Sequence, residues 1–456
     1  MNTFSQVYFL GIGGIGMSAI ARYYKAKGFL VAGYDRSRSA LCETLEQEGI
    51  LVHYEDDVNF IPKQFLDSKT TLVVYTPAIP KENQELCFFQ ENGFVVQKRA
   101  QVLGQITRSA RGLCIAGTHG KTTTSNMTAH LLHSSSISCN AFLGGIAKNF
   151  STNLVLSEKT DLVVIEADEF DRSFHQLTPY MAVITAADAD HLDIYGSKEA
   201  VLDSFAHFPS LISPEGCLIM KKGIDIKPCL QEGVRFFSYS ANDGGDFHAE
   251  NIRVGNGQLI FDFVSPKGVV KDVELGVPVM INVENAVAAM AIAQLNGVSD
   301  DEMREAMRTF AGTTRRFDFH IKREDLNFID DYAHHPEELK ASIFSVKQLF
   351  PDKRVCGIFQ PHLYTRTRDF YKEFAQALSM LDDIILLDIY PARELPIQGV
   401  SSQLIFDEIQ NSSKVLCRKE DLLKELKNHR FDVLLTIGAG DIDKMLLQIK
   451  SQLLES

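Results

Sequence analysis

Apolar runs of strand length alternate with helix-spaced stretches along most of the chain. Val7–Leu10, Phe29–Tyr34, Thr71–Tyr75 and Phe94–Val96 read as strands, and Ile15–Lys27, Ser39–Glu48 and Asn83–Glu91 read as helices. That alternation predicts a doubly wound unit with a parallel sheet. From 97 to 112 the pattern lapses into Gln-, Lys- and Arg-rich sequence that reads as a linker. A second unit opens at Leu113. Its strands are expected at 113–116, 162–165 and 181–185, followed by a β-rich stretch over 234–275 and helices near 283–296 and 300–309. A third βα unit has strands expected near 327–330, 354–359, 383–388 and 432–436. The reading is three α/β domains, at 1–107, 108–312 and 313–456.

Composition narrows the class. At 456 residues the chain is long enough for about three domains. A net charge of -13 argues against nucleic-acid binding and against a polybasic membrane surface. No apolar run approaches the ~20 residues of a membrane span, so no membrane insertion is expected. The cysteines are scattered, the nearest pair being Cys217 and Cys229, which leaves no C-x-x-C motif. A strand and glycine loop begin at residue 6, where a signal peptide would need an apolar core. A reducing cytoplasm is the expected compartment.

Two glycine loops carry the candidate chemistry. Gly11-Ile12-Gly13-Gly14-Ile15-Gly16 follows the first strand, and Gly117-Thr118-His119-Gly120-Lys121-Thr122-Thr123 follows Leu113–Ala116. A strand, a glycine turn and a helix N-terminus together present backbone N–H groups to an anion. Only the second loop has the Lys-Thr pair of a nucleoside triphosphate site, although Ile115 stands where the full Walker spacing places its first glycine. Lys121 is expected at the β- and γ-phosphates and Thr122 or Thr123 at Mg²⁺. The strand Leu162–Ile165 runs into Glu166-Ala167-Asp168-Glu169, where a magnesium ligand belongs. His191, among the acids of Asp188-Ala189-Asp190-His191-Leu192-Asp193, is a second candidate ligand. Asp35 ends the second strand, the place of a ribose-binding acid in a dinucleotide fold. Taken alone, the first loop and Asp35 also suit NAD.

In the third unit, Asp330-Asp331-Tyr332-Ala333-His334-His335-Pro336 and Gln360-Pro361-His362-Leu363-Tyr364-Thr365-Arg366-Thr367-Arg368 each follow a strand, where α/β sheets place ligands. The tandem histidines could hold zinc or be ordinary loop residues. Arg315 and Arg316 could clamp phosphate.

Taken together, these residues resemble the Mur ligase family over nearly the whole chain, and its alanine-adding branch above all. The resemblance rests on G-I-G-G-I-G-M-S at 11–18, G-T-H-G-K-T-T-T at 117–124, E-A-D-E at 166–169 and D-A-D-H-L-D at 188–193. It continues through R-R-F-D-F at 315–319, D-D-Y-A-H-H-P at 330–336, Q-P-H-x-x-T-R-T-R at 360–368 and G-A-G-D-I at 438–442. It implies a Rossmann-like N-terminal domain that binds a UDP-substrate, a central P-loop ATPase domain and a C-terminal Rossmann-like domain. It implies an ATP- and Mg²⁺-dependent ligase that joins L-alanine to UDP-N-acetylmuramate through an acyl phosphate, in peptidoglycan precursor synthesis.

The same resemblance implies roles for single residues. Gly117, Thr118, Gly120, Lys121, Thr122, Thr123, Asn285, Arg316 and Asp331 would bind ATP. Of these, Asn285 would contact the adenine, Arg316 the phosphates and Asp331 the ribose. Thr122, Glu166 and His191 would hold Mg²⁺. Gly11, Gly13, Gly14, Ile15, Gly16, Asp35, Thr76 and Ala78 would bind the UDP-substrate. Tyr332, His334 and Arg366 would face the amino acid, and Lys121, Glu166, His191 and His334 form the expected catalytic set. Two positions depart from the pattern: Ile281 replaces the histidine of the family's H-N-x-x-N, and Leu363 replaces the arginine of its Q-P-H-R. No lysine between Glu199 and Phe208 is available for the carbamylated bridge of some relatives. A monomer or homodimer is expected. A tripeptide ligase of wall recycling, a nicotinamide-dependent dehydrogenase with an accessory NTPase domain, and a regulatory P-loop ATPase are the competing readings.

Overall fold

The structure is a computed structural model that describes residues 4–188, 192–255, 257–392 and 394–455. It is built on three sheets. The first holds β1 (Gln6–Leu10), β2 (Leu30–Tyr34), β3 (Leu51–His53), β4 (Thr71–Tyr75) and β5 (Val95–Lys98), all parallel in the order β3-β2-β1-β4-β5. Chain order reverses between β1 and β4, so the loops after these two strands flank the topological switch point. The first glycine loop follows β1, and Thr76 follows β4.

The second sheet takes β6 (Arg111–Ala116), β7 (Asn140–Ala147), β8 (Thr152–Val155), β9 (Leu162–Ala167), β10 (Pro179–Ile184), β11 (Cys217–Lys221) and β12 (Arg235–Ser240). It runs β12-β11-β10-β6-β9-β7-β8, and β13 (Phe247–Gly255), β14 (Gln258–Ser265) and β15 (Gly268–Glu274) extend it in sequence order beyond β12. Its centre is β6, paired in parallel with β9 and β10. Leu113, Cys114, Ile115 and Ala116 are buried there, as continuous apolar strands covered on both faces require. The third sheet runs β16-β17-β21-β18-β19-β20, from β16 (Asp318–Lys322), β17 (Asn327–Asp331), β18 (Val355–Phe359), β19 (Asp383–Leu387), β20 (Lys414–Cys417) and β21 (Val433–Ile437). Only β16 in that sheet is antiparallel to its neighbour.

The chain forms two compact units. One comprises 1–250, 262–271 and 284–310, and so contains the first sheet together with the centre of the second. The other comprises 251–261, 272–283 and 311–456. Residues 97–112, expected as a linker, instead carry the end of β5, the helix Arg99–Arg108 and the start of β6. That helix is packed tightly: a Cβ on Gly104 would sit 2.1 Å from the Gln176 carbonyl oxygen. Its buried positions, Ala100, Val102, Gly104, Ile106 and Thr107, are too interrupted by polar residues to show as an apolar stripe.

Candidate active site

The second glycine loop is shaped by its backbone. Gly117 has φ +142° and Gly120, which precedes the helix Lys121–His133, has φ +82°. Both lie where L side chains rarely go. A Cβ on Gly117 would sit 2.1 Å from Thr185 Oγ1, and one on Gly120 would sit 2.8 Å from Asn285 Oδ1. Thr185, just past β10, donates to the Ala116 carbonyl at 3.1 Å and also to the carbonyl of His119. Thr118 Oγ1 donates to Asp188 Oδ2 at 3.2 Å and accepts the Asp188 N–H at 3.1 Å. Asn285 is buried, and its Oδ1 accepts from Thr124 Oγ1 at 3.2 Å. The loop is thus held from its adjoining helix, from β10 and from the helix Met280–Leu295.

Two side chains of the helix's first turn meet the acidic end of β9. Lys121 Nζ donates to the Gly117 carbonyl at 2.5 Å and lies 2.9 and 2.8 Å from Oε1 and Oε2 of Glu169. Thr122 Oγ1 donates to Glu166 Oε1 at 3.1 Å. A Cβ on Gly144 of β7 would lie 2.1 Å from Glu166 Oε2, so that glycine makes room for the carboxylate. A hydroxyl and a carboxylate side by side are hard oxygen donors suited to Mg²⁺. His191 lies outside the described residues. Among the described residues no group of three or more His, Cys, Asp or Glu side chains is gathered to hold a metal. Thr123 has the same helix turn as Lys121 and Thr122.

The first loop is built differently. Gly11 has φ +83°, and a Cβ there would lie 2.6 Å from Thr76 Cγ2. Asp35 Oδ2 accepts the Gly13 N–H at 2.8 Å, so this acid braces the loop and takes up one of its donors. A Cβ on Gly13 would meet Cys42 Sγ at 2.4 Å, and one on Gly16 would meet the Arg99 guanidinium at 2.5 Å. Arg99 also pairs with Asp168 Oδ2 at 2.8 Å. Gly14 and Ala78 are exposed, and Ile15 begins the helix Ile15–Ala26.

In the other unit, β17 delivers the D-D-Y-A-H-H-P run. Asp330 is fully buried, pairs with Arg315 Nε at 3.2 Å and accepts from Thr436 Oγ1 at 2.7 Å. Burial pushes its carboxyl up to about 6. Arg315 also donates to the carbonyls of Gly438 and Gly440, so it is committed to the scaffold. Asp331 is also raised, by burial first, and accepts the Phe317 N–H at 3.4 Å. The Arg315 and Arg316 guanidiniums lie 5.1 and 5.4 Å from the Tyr332 ring centroid. Tyr332 meets the His334 ring edge-on at 5.2 Å, and His334 meets His362 at 6.1 Å. His334 Nδ1 is 2.9 Å from the Tyr332 carbonyl, which can only accept, so Nδ1 carries the proton in that bond. Burial lowers the His334 pKa against the pull of Glu338, whose Oε2 accepts the His334 backbone N–H at 3.1 Å. Arg366 lies on the helix Tyr364–Leu378 that starts just after His362. Leu363 has φ +71°, a strained non-glycine conformation at the mouth of that helix. Ile281 is exposed.

A strand–glycine loop–helix with a Lys-Thr pair and a carboxylate at the next strand's end defines a P-loop nucleotide-binding enzyme, here within a three-sheet α/β chain. The comparisons make the class specific. The description "Mur ligase family, catalytic domain" matches residues 6–111, "Mur ligase middle domain" matches 115–293, and "Mur ligase, glutamate ligase domain" matches 315–440. A UDP-N-acetylmuramate–L-alanine ligase of Phocaeicola vulgatus is 58% identical over 98% of this chain and 98% of its own. One of Parabacteroides distasonis is 59% identical over 99% and 97%. Among solved structures, the UDP-N-acetylmuramate-alanine ligase MurC of Thermotoga maritima superposes with a TM-score of 0.82 at 25% identity, over 99% of both chains. A murein peptide ligase of Psychrobacter arcticus shares the fold, with a TM-score of 0.67 at 24% identity over 98% of both chains. The chain belongs to the Mur ligase family, whose members are ATP-dependent amide-forming ligases.

Proposed function

We propose that this enzyme joins L-alanine to the lactyl carboxylate of UDP-N-acetylmuramate at the expense of ATP, in peptidoglycan precursor synthesis. The observation that carries the reading is the Lys121 ammonium held over the Gly117–Gly120 loop, beside the Thr122–Glu166 pair. High identity to two L-alanine ligases over almost the full chain supports the same acceptor.

An amide does not form from a carboxylate and an ammonium in water without activation. In this reading a lactyl carboxylate oxygen attacks the γ-phosphorus, the bond to the β-bridging oxygen breaks, and ADP leaves. The alanine amine then attacks the acyl carbon, loses its proton, and inorganic phosphate departs. Lys121 stabilises charge on the transferring phosphoryl group. Thr122 and Glu166, with His191, are the residues that would hold Mg²⁺. Bound there, the ion would neutralise phosphate charge. Gly117, Thr118, Gly120 and Thr123 shape and complete the phosphate site. Asn285 is assigned to the adenine, Arg316 to the phosphates and Asp331 to the ribose.

Gly11, Gly13, Gly14, Ile15, Gly16, Thr76 and Ala78 are assigned to the UDP-sugar. Asp35 supports that loop through its bond to Gly13. Tyr332, His334 and Arg366 are assigned to alanine, with Arg366 as the cation for its carboxylate. The three domains are assigned to 1–107, 108–312 and 313–456, a cytoplasmic location suits the small-molecule substrates, and the active form is assigned as a monomer or homodimer. No described helix is long and apolar enough to cross a membrane. The test is ADP release by purified enzyme given ATP, UDP-N-acetylmuramate and single amino acids. Release that requires both UDP-N-acetylmuramate and alanine is expected, and turnover without them would favour a regulatory ATPase.

A further inference from the structure

Lys121 is paired with an acid of the chain itself. Its ammonium lies 2.8–2.9 Å from both carboxylate oxygens of Glu169, and Glu169 is 1% exposed. The carboxylate is not loosely placed. Its backbone carbonyl accepts the Tyr195 hydroxyl at 2.6 Å and the Arg172 N–H at 2.9 Å. The next turn is locked by Asp171 and Arg172, both at positive φ, and the Arg172 guanidinium lies 4.7 Å from the Tyr195 ring centroid. On the other side, Asp168 is tied to Arg99 and Asp171 to Lys98. A buried anion has therefore been fixed where the terminal phosphates of a nucleotide would come to the same ammonium. Two anions cannot both satisfy one lysine without repulsion, and repulsion is strong where water is scarce.

We propose that Glu169 is a positioning residue that holds the Lys121 ammonium over the phosphate loop and gives way to the β- and γ-phosphates of ATP. Glu169 thus offers the ammonium the negative partner that a phosphate would otherwise supply. It keeps the lysine aimed across the loop, sparing it a search among rotamers when ATP binds. It also opposes the nucleotide, so ATP binds less tightly than the loop alone would allow. The inference rests on the ATP site proposed above and adds the residue that site competes with.

Replacing Glu169 with glutamine keeps an acceptor for Lys121 and removes the charge. ATP and AMP are titrated separately into wild type and Glu169→Gln by calorimetry, with thermal melting as the check on folding. Wild-type ATP binding establishes the nucleotide site by itself, and the ligase reading stands or falls separately on acceptor-dependent ADP release. The variant is expected to bind ATP about tenfold tighter, the scale of one charge-assisted contact. AMP, lacking the β- and γ-phosphates, is expected to bind both proteins alike. Equal or weaker ATP binding by a variant that melts like wild type overturns the proposal, as does a gain shared equally by AMP. Should Glu169→Gln fail to fold, Glu169→Asp retains the charge on a shorter side chain. It is expected to give a smaller gain for ATP, and no gain there also overturns the proposal.

Discussion

Thr122 Oγ1 lies 3.1 Å from Glu166 Oε1, joining the first turn of the phosphate-loop helix to the end of β9. Both oxygens would be magnesium donors, and the hydrogen bond between them sets them side by side. Removing either should weaken metal binding more than nucleotide binding. Glu166→Ala is expected to raise the Mg²⁺ concentration for half-maximal activity by roughly tenfold or more, the loss of one charged ligand. Thr122→Ala should move it less. A Mg²⁺ titration of ADP release checks both, and an unchanged midpoint in Glu166→Ala would remove Glu166 from the metal site.

Lys121→Ala should slow phosphoryl transfer severely without unfolding the loop, because Gly117, Thr185 and Asn285 hold the loop independently of that side chain. A missing positive group at the transferring phosphoryl costs on the order of 10²–10³ in rate. Trapping the acyl phosphate by borohydride reduction is the direct measurement. Near-normal trapping in the variant would refute the role given to Lys121.

The glycine loops, their strands and the βα alternation were legible because continuous apolar strands and glycine turns are local signals. Thr71–Tyr75 was read with both ends correct. Other elements carried no such signal. β7 holds Gly144 and Gly145 within the strand, where the Glu166 carboxylate requires a missing Cβ, and those glycines mask its strand character. β3 has three residues, and only its pairing with β2 makes it a strand. At the site, Glu166 was visible as the carboxylate closing an apolar strand. Glu169 as the partner of Lys121 was not, since the two lie 48 residues apart and meet only once β9 packs beside the helix Lys121–His133. Asp35 was legible as the acid that follows the second strand, but its bond to the Gly13 N–H appears only in three dimensions.

That bond leads to a test of the first loop. Gly13→Ala places a methyl group 2.4 Å from Cys42 Sγ and 3.0 Å from Asp35 Oδ2, so the loop must shift. UDP-N-acetylmuramate affinity is expected to fall by at least about tenfold, the value of one charge-assisted hydrogen bond to the diphosphate. ATP affinity should hold. Calorimetric titration of both ligands decides it, and tight binding of NAD by wild type would show that the loop serves a dinucleotide.

A buried acid in the first unit makes stability depend on pH. Glu85 is fully buried, accepts the Tyr8 hydroxyl at 2.7 Å and lies 3.3 Å from His53 Nε2. Burial first raises its carboxyl to about 8. The folded chain then keeps a proton that the unfolded chain releases near 4.5, so stability falls as pH rises between those values. Burial lowers the pKa of His53 from 6.5, an opposing effect confined to the acid side. Between pH 6.5 and 8 the Glu85 contribution stands alone in this cluster. The slope is at most roughly 1.4 kcal/mol per pH unit. Thermal melting across that window should show the wild-type Tm falling and the Glu85→Gln Tm falling less. Parallel curves would mean that Glu85 is already ionised.

The proposed alanine pocket lies in the third sheet's loops. An amino acid presents a carboxylate and an ammonium only two bonds apart, so it needs a cation and an acceptor close together in a small site. Tyr332, His334 and His362 form a chain of ring contacts there, and Arg366 begins the adjoining helix as its third residue. Leu363, held at positive φ, occupies the place where the family pattern has a second arginine. Under the proposed assignment Arg366 alone would carry the carboxylate, and its loss should be felt in full. Arg366→Ala is expected to raise the KM for alanine by about tenfold to a hundredfold, the range for one hydrogen bond to a charged group. The KM values for ATP and UDP-N-acetylmuramate should stay within about twofold. Steady-state kinetics with each substrate varied in turn gives the answer. A uniform loss in kcat with all three KM values unchanged would place Arg366 outside the alanine pocket. Faster joining of a tripeptide than of alanine by the wild-type enzyme would assign it to wall recycling.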